Sequence, residues 1–281
     1  MMDLDFFSLE ATEKTIADLT SAAPLIPAKT AVNVAWLNDE DDYGRLRTVR
    51  RIDDAGLLPV PIFAARRLQS KKHLFDLTEK LRFAGAQGQV MVVGGDPSDA
   101  SGPFNNTMDL LRTEWIERYA LKRVTLPGFP EGNAAIGYRS DVALLEEKVK
   151  LLVSYGCSVS ITTQLAFDPN RILNWISALR NVGISQTIQI GIPGPTKKDR
   201  LLRFARSFGV SGGGLNNVSD TVDGIVDFSR LVCLIEQGLQ RRNLADVAVH
   251  LYPFGGTKAA VEWLAAIKAR QVRDASSKML A

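Results

Sequence analysis

Val90-Met91-Val92-Val93-Gly94-Gly95-Asp96-Pro97 is a continuous apolar run that stops abruptly in a turn. An apolar run without alternation is what a parallel strand covered on both faces requires, and Gly-Gly-Asp-Pro is turn chemistry. The same unit recurs on either side. Toward the amino terminus, Val60-Pro61-Ile62-Phe63 precedes a helix carrying Leu74, Leu77 and Leu81, and 31–36 precedes a helix over 43–55 with Leu46, Val49 and Ile52 on one face. Phe6-Phe7-Ser8-Leu9-Glu10 leads into a helix over 12–22 that Pro24 and Pro27 close. Toward the carboxyl terminus, Met108, Leu111, Trp115 and Tyr119 share a helix, followed by strand 123–126 and helix 141–155. Strand 159–164, a helix opened by Pro169, strand 188–192 and helix 196–207 come next. An additional helix over 220–242, a strand over 247–252 and a helix over 257–270 complete the pattern.

Eight strands, each followed by a helix, with no linker or composition break, predict one α/β domain over 1–281. The expected architecture is a single (β/α)8 TIM barrel with one extra helix before the eighth strand. A doubly wound open sheet gives the same alternation. The first βα turn, Glu10-Ala11-Thr12, lacks the glycines of a dinucleotide fingerprint, which favours the barrel.

Composition narrows the function. Over 281 residues, 34 Lys+Arg against 31 Asp+Glu leave a net +3, with no electrostatic footprint for nucleic acid. Two cysteines, Cys157 and Cys233, at no metal or redox spacing, and two histidines, His73 and His250, argue against a metal site or a disulfide scaffold. The acidic start, Met1-Met2-Asp3-Leu4-Asp5, does not read as a signal peptide, and no apolar run approaches the ~18 residues that span a bilayer. The expectation is a cytoplasmic protein with no membrane partner. Trp115 and Trp263, on helix faces, suit either the core or an interface in a homo-oligomer.

In a barrel of this kind the chemistry sits at the carboxyl ends of the strands. The residues expected there are Glu10, Trp36 with Asn38, Phe63, Gly94-Gly95-Asp96, Phe129 with Glu131, Gln164, Ile192-Pro193-Gly194, and Tyr252 with Phe254. A carboxyl group in a semi-enclosed mouth gains pKa and can serve as a general acid, which singles out Glu10. A capping or salt-bridged glutamate is the competing explanation. Glycines beside Asp96 let backbone approach a ligand, although the same residues make an ordinary Asx turn. Gln164 can offer donor and acceptor together to a polar heterocycle, or a local rim hydrogen bond. Lys197-Lys198-Asp199-Arg200 is a solvated helix start or an attractor of a polyanion. From the residues alone this is a barrel enzyme for a small, partly aromatic ligand, working with carboxylates rather than thiols or metals.

At these positions the chain resembles the methylenetetrahydrofolate reductase family. The likeness rests on the Gly95-Asp96 turn, Phe129-Pro130-Glu131-Gly132-Asn133, Thr163-Gln164-Leu165-Ala166-Phe167-Asp168, and Gly191-Ile192-Pro193 before a helix carrying Phe204. The resemblance implies an oxidoreductase of one-carbon and methionine metabolism. Such an enzyme interconverts 5,10-methylenetetrahydrofolate and 5-methyltetrahydrofolate with NAD(P)H, its tetrahydrofolate substrate lying against FAD. It implies Glu10 and Asp96 as catalytic, Gln164 and Phe204 as substrate-binding, and Gly94, Gly95, Phe129, Glu131 and Asn133 as cofactor-binding residues. The family's flavin contacts are largely replaced: Gly94 stands for an arginine, Ile62 and Asn133 for histidines, Ala35 for a threonine, and Leu151-Leu152 for an Arg-Lys pair. Loss of cations that would hold a pyrophosphate implies direct hydride exchange with NAD(P)H. An ordinary FAD enzyme, a non-catalytic folate-binding subunit and a deazaflavin barrel are the alternatives.

Overall fold

The computed structural model describes residues 2–37, 41–95, 98–133, 138–207, 209–210 and 220–279. Eight parallel strands close on themselves: β1 (Asp3–Ala11), β2 (Ala31–Val34), β3 (Leu58–Ala64), β4 (Gln89–Val93), β5 (Arg123–Gly128), β6 (Ser158–Thr163), β7 (Thr187–Pro193) and β11 (Val247–Tyr252). The first and last strands pair, Ser8 with His250 and Leu9 with Leu251, and this seam excludes the open doubly wound sheet. The protein is a (β/α)8 barrel, as the alternation predicts.

Around the barrel run α1 (Ile16–Ala22), α2 (Asp42–Asp54), α3 (Lys71–Phe83), α4 (Thr107–Leu111), α5 (Trp115–Arg118), α6 (Tyr138–Ser154), α7 (Pro169–Asn181), α8 (Lys198–Ser207), α9 (Ser229–Arg241) and α10 (Thr257–Met279). Their starts follow capping chemistry. Asp41 accepts from Gly44 N–H, Ser70 from His73 N–H, and Asn106 closes a reciprocal box with Asp109. The extra helix before the last barrel strand is α9.

Three boundaries differ from expectation. The helix expected over 220–242 begins only at Ser229. Ahead of it β9 (Asp220–Val222) and β10 (Ile225–Asp227) form a hairpin that pairs with β8 (Thr196–Lys197). Its turn, Asp223-Gly224, has both φ angles positive, at 50° and 75°, which is the Asp-Gly hairpin signal between β-branched runs. Thr196 and Lys197 accordingly belong to a strand rather than to the helix that follows. The single helix expected from Met108 to Tyr119 is broken into α4 and α5, where Thr113 Oγ1 turns back on the Leu110 carbonyl.

Burial divides the core in two. A large shell between barrel and helices takes every second strand residue, including Leu9, Val32, Phe63, Val92, Leu126, Ile161, Ile190 and Leu251. Trp115 and Trp263 belong to this shell, so the core explanation of both holds within the chain. A second, small cluster of Ala35, Val60, Ile62 and Met91 fills the barrel's inside on the β2–β4 side. The opposite side of the interior is polar. Thr125 Oγ1 meets Ser160 Oγ at 2.9 Å, Thr162 Oγ1 donates to Gln189 Oε1 at 3.0 Å, and Ser8 meets His250. Barrel interiors are ordinarily layers of branched apolar side chains, so this polar half is the departure that needs a functional account. Among the described residues no helix is long and apolar enough to cross a membrane.

Candidate active site

Glu10 is the last inward-facing residue of β1, and in the β1–β11 register it falls beside Tyr252, one step beyond the Leu9–Leu251 pair. Glu10 is half-buried, and this burial, with no cationic partner among the described residues, pushes its carboxyl up to about 7. The neighbouring phenol feels the same enclosure. Burial, and secondarily the Glu10 charge, hold Tyr252 well above the ordinary tyrosine range, so it remains a donor at all physiological pH. Its hydroxyl donates to the Thr163 carbonyl at 3.3 Å, tying the end of β11 to the end of β6. Gln164 follows immediately and sits half-buried at the rim, its own N–H donating to the Gly128 carbonyl at 2.8 Å.

The Tyr252 ring can lie there because position 191 has no side chain. A Cβ on Gly191 would stand 2.6 Å from both the Thr163 oxygen and the Tyr252 ring, with backbone on one side and a packed ring on the other. Gly191→Ala is therefore expected to destabilise the fold by about 1–3 kcal/mol and to displace Tyr252. Urea unfolding together with the near-ultraviolet dichroism of the tyrosines checks this; a melt and spectrum like wild type would show that the ring moves freely.

A column of rings continues outward from this point. His250 meets the Tyr252 ring edge-on at 4.8 Å, Tyr252 is near-parallel to Phe254 at 5.5 Å, and Phe254 stacks on Phe204 of α8 at 4.0 Å and 11°. Arg200 of the same helix donates to the Phe254 carbonyl at 2.8 Å, fixing α8 over the β11 loop. Across the mouth, Arg45 of α2 is fully buried. Its guanidinium lies 4.0 Å over Trp36 and donates to the Ile62 carbonyl at 2.5 Å.

Of the residues singled out from sequence, the fold gathers Glu10, Gln164 and Phe204 on the β1–β11–β7–β6 side of the mouth. The others stand apart. Glu131 uses Oε1 to accept from the N–H groups of Phe167 and Asp168, at 2.6 and 2.9 Å, and so holds the loop that starts α7. Phe129 N–H points to Asp141 Oδ2 at 3.4 Å, Gly132 (φ 87°) closes the turn between them, and Asn133 is half-buried beyond it. Gly94 offers its carbonyl to Arg66 N–H at 3.0 Å, and Gly95 (φ 96°) makes the turn after β4. Asp96, Asn38 and the glycine cluster at 212–214 lie outside the described residues. Sequence reasoning passes over Ser8 and His250 inside their strands, and over Arg45. The available signal is the alternation Ser8-x-Glu10 and His250-x-Tyr252-x-Phe254, which puts each set on one inward face. Among the described residues no group of three His, Cys, Asp or Glu side chains is placed to hold a metal ion. A groove of about 470 Å³ formed by Leu46, Glu79, Lys80, Phe83 and Ala84 belongs to the outer faces of α2 and α3 and has no strand-end residue in its lining.

Fold and mouth together define a (β/α)8-barrel protein with a half-buried carboxyl group at its carboxyl face that has no cationic partner among the described residues. Similar solved structures include dihydropteroate synthase (FolP) from Thermus thermophilus, with a TM-score of 0.53 at 12% identity, covering 95% of this chain and 95% of that one. The same organism's dihydropteroate synthase in complex with 6HMPPP aligns with a TM-score of 0.54 at 11% identity, over 95% of this chain and 94% of that one. No protein-family model matches the sequence. At these identities the likeness carries the fold alone.

These findings correct the family reading. The chain aligns over 95% of its length with dihydropteroate synthases, and the resemblance to methylenetetrahydrofolate reductase has no family match behind it. The physical reason is visible in the segments that carried it. Glu131 braces the α7 loop, Asp168 caps α7 by accepting from Asn170 and Arg171 N–H, and Gly191 makes room for Tyr252. A barrel rim needs such residues whatever it binds. The oxidoreductase activity, the methionine-pathway role, and NAD(P)H and FAD as partners in hydride transfer rested on that resemblance and fall with it.

Proposed function

We propose that this chain is a barrel enzyme whose mouth takes a planar, hydrogen-bonding heterocycle of the pterin class, and that Glu10 moves a proton to or from it. The observation that carries the reading is Glu10 itself: a carboxyl group half-buried at a strand end, without a cationic partner among the described residues, with its pKa lifted to about 7. A general acid–base group is most effective when its pKa lies near the working pH, and a merely structural carboxylate gains nothing from such a position. The stacked rings of Tyr252, Phe254 and Phe204 offer the apolar side of a ring column, and Gln164 a paired donor and acceptor at the rim. The likeness to a synthase solved with 6HMPPP supports a ligand of this class.

Titration of the protein with pterin and dihydropterin, followed by tryptophan fluorescence between pH 5.5 and 8.5, tests the reading. Affinity is expected to change with a midpoint near pH 7 in the wild type and to be flat in Glu10→Gln. Any turnover found should fall by ~10²–10⁴ in that variant. Absence of pterin binding, or a Glu10→Gln variant with the wild-type pH profile, would sink it.

A further inference from the structure

One layer below Glu10 and Tyr252, at the seam where the first and last strands close the barrel, Ser8 and His250 face each other. Ser8 Oγ and His250 Nδ1 are 2.7 Å apart, and both residues are buried, His250 completely. Elsewhere on this side of the interior the polar groups pair with one another, Thr125 with Ser160 and Thr162 with Gln189. His250 Nε2 is different: it is buried and has no hydrogen-bond partner among the described residues.

The chemistry of the pair settles which way that nitrogen works. A neutral imidazole carries one N–H and one lone pair, and burial without an anion keeps His250 neutral, its pKa pushed down to about 3. A buried hydroxyl must place its proton on an acceptor. The one side-chain partner within reach of Ser8 Oγ among the described residues is Nδ1, so the hydroxyl donates there and the ring proton resides on Nε2. The result is a buried, unpartnered N–H donor on the inward face of β11, its ring held by Ser8 beneath and by the edge-on Tyr252 ring above.

We propose that His250 Nε2–H is a recognition donor at the floor of the active site, reserved for a ring carbonyl oxygen of the ligand. Resting on the pterin-class reading, it names the group that selects the oxidation pattern of the heterocycle: a carbonyl at the inserted edge is accepted, whereas an amino group there meets a like donor and is refused. Glu10 and Tyr252 then lie above the inserted edge, where proton transfer takes place. His250 is in this sense a specificity-determining residue and does not itself exchange protons.

Two measurements decide it. The first compares binding of pterin with that of 2,4-diaminopteridine, in which an amino group replaces the ring carbonyl, to wild type, His250→Phe and His250→Gln. Wild type is expected to prefer pterin by at least about tenfold, because a buried donor left facing a donor is refused. His250→Phe should bind both within about twofold, and His250→Gln, which keeps an N–H, should retain part of the preference. An undiminished preference in His250→Phe overturns the assignment. The second is the ¹⁵N spectrum of the histidine-labelled, ligand-free protein, with the His250 signals identified by their loss in His250→Phe. A proton on Nε2 is expected, and a proton on Nδ1 overturns the donor whatever binds. If neither probe binds to wild type, the pterin reading fails and this ligand with it, while the tautomer still reports separately on whether the donor exists.

Discussion

Glutamine in place of Glu10 is expected to leave stability unchanged near pH 4 and to raise it by up to about 3 kcal/mol at pH 8. The carboxyl is lifted from 4.5 to about 7 in the folded chain because burial disfavours its ionised form, and no cation among the described residues offsets that cost. Between those values the folded state holds a proton that the unfolded state has released. The stability associated with that proton is complete below pH 4.5 and is lost as pH rises through 7, at about 1.4 kcal/mol per pH unit. Glutamine has the same shape and no charge to desolvate, so it should escape the loss. Urea unfolding of both proteins at half-unit intervals from pH 4 to 8.5 gives the difference directly. A difference that does not vary with pH would mean that Glu10 is solvated or paired, and the general-acid reading would lose its foundation. Stability gained by removing a side chain is the mark of a group retained for function.

Much of the fold was legible because it is written locally. Val90–Val93 reads as a strand covered on both faces and is one, and the helices over 42–54, 71–83 and 169–181 carry their own caps and apolar stripes. The hairpin ahead of α9 is legible too, in Asp223-Gly224 between Val222 and Ile225, although the helix expected over 220–242 runs across it. Glu10 could be placed at the mouth from its strand end alone, whereas Phe204 enters only through the family resemblance. What could not be read was anything created by closure. Ser8 and His250 are 242 positions apart and meet because β1 and β11 share a register. The Phe204–Phe254 stack needs α8 to fold back over the β11 loop. The family likeness misled for the complementary reason: Glu131, Asp168 and Gly191 are strongly determined by local tasks of a barrel rim, and a motif built from such residues says little about what the rim holds.

The second large effect runs in the opposite direction, at His250. Its ring is held neutral, with the pKa taken from 6.5 down to about 3, so the unfolded chain gains a proton as pH falls below 6.5 that the folded chain refuses. Folded-state stability is therefore present above 6.5 and drains away toward pH 3, by up to about 5 kcal/mol. Between pH 4.5 and 6.5 this slope and that of Glu10 are equal and opposite, and the two residues together contribute a level stretch of stability. Each single variant should expose the other. Glu10→Gln should become steadily less stable on acidification below 6.5, relative to a wild type in which the two slopes cancel. His250→Gln, relative to wild type, should gain stability on acidification over the same range. The offset of His250→Gln depends on how glutamine repacks against Ser8, but its slope does not, so the slope is the quantity to read. If the difference between His250→Gln and wild type is constant from about pH 4 to 7, the imidazole is open to water, and an oriented donor at the floor of the barrel cannot be sustained.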